Sequence, residues 1–155
     1  MSDGVAARAL AYLAAHNVAT LATSDADGPW AAAVFYVNDG YTLYFLSAPT
    51  TRHARHLAAD PRVALTVQED YARWQDIKGV QLEGRVTRLA GAEADAAYAR
   101  YAAKFPFTNA GAAGEVLARA LAKIAWYRLD PARIFFVDNA RGFGHRDEIS
   151  LPVSS

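Results

Sequence analysis

Cysteine is absent from the 155 residues. That removes disulfides, thiolate nucleophiles and Cys-ligated metals, and gives no sign of an oxidising compartment, so a cytoplasmic location is expected. A charge excess is absent too: sixteen Lys and Arg balance sixteen Asp and Glu. The chain therefore lacks the field that gathers a polyanion by counterion release, and nucleic acid is not an expected partner. No segment approaches the roughly 18 uninterrupted apolar residues of a membrane span, and no basic stretch precedes an apolar one near the start. Neither membrane insertion nor export is expected.

What is present is a 53% hydrophobic, 21% charged chain, the profile of one domain over residues 1–155. Ser2 and Asp3 can cap an N-terminal helix reaching His16, with Val5, Leu10 and Leu13 as its apolar stripe. "VATLATSDADGPWAAAVFYVNDGYTLYFLS" holds three β-favouring runs separated by "DADGP" and "NDG" turns, a three-stranded meander. "RVALTV" is a fourth strand and "GVQLEGRVTRL" a fifth, in which Val80, Leu82, Gly84 and Val86 alternate with polar residues. Helical patterns follow from Ala92 to Lys104 and from Gly114 to Lys123, and then a sixth strand, "AWYRLDPARIFFVDN", leads into a tail over 140–155. Strands without regular crossover helices predict a mainly β fold, a six-stranded antiparallel barrel with flanking helices.

The most chemically suggestive stretch is "LYFLSAPTTRHARHLAADPRV", residues 43–63. If Thr50 or Thr51 caps a helix, the open N–H groups of its first turn and the Arg52 guanidinium make a phosphate-sized anion site, with Ser47 as a further donor and His53 contributing when protonated. The competing reading is an ordinary cap followed by solvated side chains on a short surface helix. His53 and His56 are too few for a zinc site with only His16 and His145 besides, and no Ser, His and Asp arrangement supports hydrolysis. Asp3, Asp25, Asp27, Glu69, Asp70 and Asp76 fall at a terminus or in turns, where carboxylates serve as caps. Aromatics such as Trp30, Phe35, Tyr36, Tyr44, Trp74, Trp126 and Tyr127 flank or occupy strands, where core packing competes with holding a flat heterocycle.

The order and spacing of the meander, "TRHA", "GVQ..G" and "DN..GFG" resemble the pyridoxamine 5'-phosphate oxidase-like family of FMN-binding split barrels, over roughly residues 5–147. The resemblance implies a Greek-key split barrel, a homodimer, and FMN in a groove between two barrels. It places Thr50, Thr51, Arg52 and His53 at the flavin phosphate. It further places Ala32, Ala33, Val34 and Phe35 along the isoalloxazine edge, Leu46 and Ser47 beneath the flavin, and Gln81 reaching over from the other subunit. Two features depart from the family pattern: the strand Pro29 to Val34 lacks the Arg and Lys of true pyridoxamine phosphate oxidases, and His53 replaces a lysine. Oxidation of a vitamin B6 phosphate is therefore not expected. FMN-dependent hydride transfer from a nicotinamide to another acceptor is, with a haem- or other-cofactor-binding module of the same fold without redox turnover as the alternative, in which His145 or His53 would be the axial haem ligand.

Overall fold

A computed structural model describes residues 2–108, 116 and 119–152. Helix α1 (Ser2–Ala15) leads into β1 (Val18–Asp25), β2 (Gly28–Asp39) and β3 (Thr42–Ser47). Helix α2 (Arg52–Ala59) and β4 (Arg62–Gln68) precede β5 (Lys78–Leu89), α3 (Gly91–Lys104), β6 (Ala125–Asp138) and β7 (Arg146–Ile149). The side-chain cap expected of Ser2 and Asp3 lies outside the described residues, as do 114, 115, 117 and 118 of the helix expected over 114–123, whose residues 116 and 119–121 are helical.

The strands run β3-β2-β1-β4-β5-β6-β7, and β3 also pairs with β6, so six strands close into an antiparallel barrel. The crossover that makes it more than a meander is α2: it carries the chain from β3 past β2 so that β4 pairs with β1. Closure requires two long strands, which must bend to meet both neighbours. β6, of 14 residues, pairs with β5 along most of its length, with β3 at its start and with β7 at its end. The bend sits where the β5–β6 register shifts between Glu83 and Gly84, so that Ala132 is the extra residue of a bulge.

Inward residues alternate as the pattern predicts. Leu21, Val34, Tyr36, Leu43, Phe45, Leu65, Val67, Val80, Leu82, Leu129, Ile134 and Phe136 fill the barrel. On α1 the buried stripe is Val5, Ala9, Tyr12 and Leu13 rather than one through Leu10, which is half-buried. Spacings of four, seven and eight residues set that face, and the helix is rotated toward alanine because the backbone can approach closely there. A second cluster of Val37, Leu89, Ala97, Tyr101, Phe105 and Trp126 lies under α3, on the outside of the barrel.

The expected tail over 140–155 is in part a strand. β7 pairs with the exposed end of β6, Ile149 enters the core, and Glu148 accepts from Arg133 Nε at 2.7 Å. Among the described residues no helix is long and apolar enough to cross a membrane.

Candidate functional site

β2 is twelve residues long but only its last four, Tyr36 to Asp39, pair with β3; along Gly28 to Phe35 it pairs with β1 alone. The missing partner follows from the turn of the chain after Ser47: β3 ends, and the helical crossover starts where a strand would have continued. Tyr36 donates its N–H toward β1, to Asn17 O at 3.0 Å. Alternation then points the N–H and C=O groups of Ala31 and Ala33 at the open edge. No strand among the described residues pairs with this edge.

The first turn of α2 faces the same gap. Thr51 is the N-cap: its Oγ1 accepts from Ala54 N at 3.3 Å and donates to Ala48 O at 2.9 Å. Thr51 O takes the Arg55 N–H at 3.0 Å. The N–H groups of Arg52 and His53 are left without partners among the described residues, as the start of any helix requires. Arg52 is held by two contacts. Its Cζ lies 4.3 Å from the centroid of Trp30 on the open edge, and its Nε donates to His56 Nε2 at 3.4 Å. Both terminal nitrogens of its fork remain unpartnered among the described residues, a cation already oriented for an anion.

Both histidines turn inward, which separates this helix from a solvated surface helix. His53 is 8% exposed and His56 2%. Positions 53, 56 and 57 share a helix face, so the histidines follow Leu57 into the protein. His53 Nε2 meets Ser47 Oγ and, at 3.3 Å, Thr51 Oγ1. His56 Nδ1 bonds Thr23 Oγ1 at 3.0 Å, and its Nε2 lies 3.4 Å from Asp25 Oδ1. Sequence reading missed Trp30, Thr23, Asp25 and His56 as members of this cluster. The spacing of four between Arg52 and His56 was the only local signal for any of them.

Burial, and secondarily the neighbouring His56, lower the His53 pKa below its ordinary value. A depressed histidine is neutral in the folded protein while the unfolded chain takes up a proton below about pH 6.5. Stability that is complete above that pH is therefore lost as pH falls through it. His53→Gln removes this dependence. Urea unfolding should show the advantage of wild type over variant shrinking between about pH 8 and pH 5. An advantage that stays constant with pH would contradict the buried neutral imidazole.

The other expected site residues divide by position. Ala32 is half-buried, Ala33 is exposed, Val34 points into the core, and Phe35 stands 48% exposed against Phe105 at 5.4 Å between centroids. Leu46 is half-buried on the α3 side, Ser47 is buried, and Thr50 is exposed at the turn. Gln81 is not brought to this cluster within one chain. It lies in the outward cross-strand row Ala33, Thr20, Thr66, Gln81, three strand spacings or about 14 Å from the open edge.

The matching family model, described as pyridoxamine 5'-phosphate oxidase, covers residues 6–138. The chain belongs to the pyridoxamine 5'-phosphate oxidase-like family. A UPF0306 protein of Photorhabdus laumondii is 34% identical over 137 residues, spanning 87% of this chain and 88% of that one. Among solved structures, a heme binding protein from Mycobacterium smegmatis matches with TM-score 0.72 and 26% identity, over 94% of this chain and 56% of that one. A FAD-binding protein from Mesorhizobium loti matches with TM-score 0.64 and 21% identity, over 84% of this chain and 91% of that one, a likeness of fold. The fold thus serves both flavin and haem proteins.

Proposed function

We propose that the protein is a homodimeric FMN-binding oxidoreductase whose flavin lies along the open edge of β2. The observation that carries this reading is the meeting of an unpaired strand edge with the first turn of α2 and an oriented Arg52. These groups fit the cofactor: the N–H groups of Arg52 and His53, the Thr50 hydroxyl and the Arg52 fork suit a phosphate dianion, and the main chain at Ala31 and Ala33 suits a heterocycle edge. The role of His53, buried beneath the turn, is to hold Ser47 and the cap in place while Arg52 supplies the accessible charge.

Bound FMN would supply hydride chemistry, with a reduced nicotinamide as donor class. The chain's part is to hold and orient: Arg52 and the turn fix the phosphate, Trp30 keeps Arg52 in position, and Phe35 screens the groove from water.

Two features support a second subunit. Val18 and Phe35 are exposed beside Ala22, Ala31, Ala33 and Ala64 on one outer face, a smooth surface suited to a second copy. Gln81, too distant in its own chain, lies on that same face and would reach the partner's flavin.

Haem remains the second reading because His145 Nε2 lies 2.9 Å from Asp147 Oδ2, carboxylate support that would leave Nδ1 as the ligating nitrogen. Absorbance and light scattering on the same freshly purified sample separate the two. The flavin reading expects bands at about 370 and 450 nm on a particle of twice the chain mass. A Soret band at about 400 nm would favour haem, and a monomer would remove the two-chain site.

A further inference from the structure

At the opposite end of the barrel from α2, about 23 Å away along β1, a cavity of about 540 Å³ opens between α1 and the ends of β4, β5 and β6. That volume falls in the range of small-molecule sites. Its walls are aromatic. Tyr12 and Phe136 form one side at 5.8 Å between centroids, and the Tyr12 hydroxyl is fixed by Tyr71 Oη at 3.0 Å and by Lys78 O at 3.2 Å. Burial, and then the Tyr71 bond, raise the Tyr12 pKa, so the phenol adds no negative charge.

The charges lining the cavity are unequally engaged. Each carboxylate already has a partner: Glu69 meets His16 Nε2 at 2.7 Å, Asp76 meets Arg73 at 3.7 Å, and Asp138 accepts from Ala140 N at 3.1 Å beside Arg141. The two cations do not. Arg8 Nε is buried with no hydrogen-bond partner, and Lys78 forms no ion pair among the described residues. A buried guanidinium nitrogen left without an acceptor is costly, and an entering anion removes that cost.

We propose that this cavity is a second binding site, distinct from the α2 cluster, for a planar aromatic carboxylate. Its ring packs on Tyr12, Tyr71 and Phe136, and its carboxylate bonds Arg8 and Lys78. The guanidinium fork takes the two oxygens side by side, and the ammonium adds a point charge. Nothing in this assignment depends on the flavin.

The test is an amide NMR titration of the full chain with naphthoate, and with naphthamide as the neutral isostere. Saturable shifts are expected in residues 8–16 and 69–78 for naphthoate, with naphthamide binding at least about tenfold more weakly. Arg8→Gln should weaken naphthoate binding by about tenfold with the spectrum otherwise native, and Lys78→Gln by less. If Arg8→Gln fails to fold, Lys78→Gln decides alone. Equal binding of the amide, shifts that fall on α2 instead, absence of saturation, or unchanged affinity in the folded variants would overturn the site.

Discussion

Arg52→Ala should lower FMN affinity by about ten- to a hundredfold, the range that follows from losing a charge-assisted contact of about 1.5 to 3 kcal/mol. The guanidinium rests 4.3 Å above Trp30, and its Nε is tied to His56, so the wild-type side chain gives up little freedom on binding. The fold should survive, because α2 is anchored by Ala54, His56 and Leu57 rather than by Arg52. Fluorescence titration of FMN against wild type and variant, with circular dichroism as the check on folding, reads the effect. Equal affinities in two folded proteins would move the phosphate away from α2. Trp30→Ala should show a smaller loss of the same sign, since it frees the guanidinium without removing it.

The largest effect on stability is expected at Gly84. A Cβ there would stand 2.4 Å from Asp130 O and 2.9 Å from Pro131 Cα, both main-chain atoms of the bulged segment of β6. Neither can withdraw without breaking the bend that lets β6 reach β3. Gly84→Ala should therefore cost about 3 kcal/mol, read as a lowered midpoint of urea unfolding. Gly4→Ala is the matched control. That Cβ meets only Arg8 Nη1, at an ordinary contact distance of 3.6 Å, in a helix where alanine is favoured over glycine by about 0.5 to 1 kcal/mol. A Gly84→Ala protein as stable as wild type would place the barrel bend elsewhere.

The barrel was legible because its strands alternate: in "GVQLEGRVTRL" each inward residue is apolar or glycine and each intervening residue up to Arg85 is polar. Two turn signals, "DADGP" and "NDG", then separated the meander strands. β7 was not legible, since "RDEI" has three polar residues in four and is held by the spare length of β6, a tertiary cause. The cap at Thr51 could be read from Thr-Thr ahead of a helical pattern, and the structure places it there. The depth of His53 and His56 could not, because histidine gives no burial preference of its own and the hydroxyls that receive them come from β1 and β3. Trp30 is 22 residues from Arg52 in sequence, and only the barrel's curvature brings the two together. The open edge of β2 is likewise a property of pairing: "WAAAVFYV" reads as a strand throughout, whichever of its residues have a second neighbour.

The reading of the α2 turn as a phosphate site is tested most directly by titrating the same protein with FMN and with riboflavin, which share the ring and the ribityl chain and differ in the phosphate. If the unpartnered N–H groups of Arg52 and His53 and the Arg52 fork receive a phosphate, FMN should bind at least about tenfold more tightly than riboflavin, and the margin should collapse in Arg52→Ala. Equal affinity for the two flavins in the wild-type protein would contradict it.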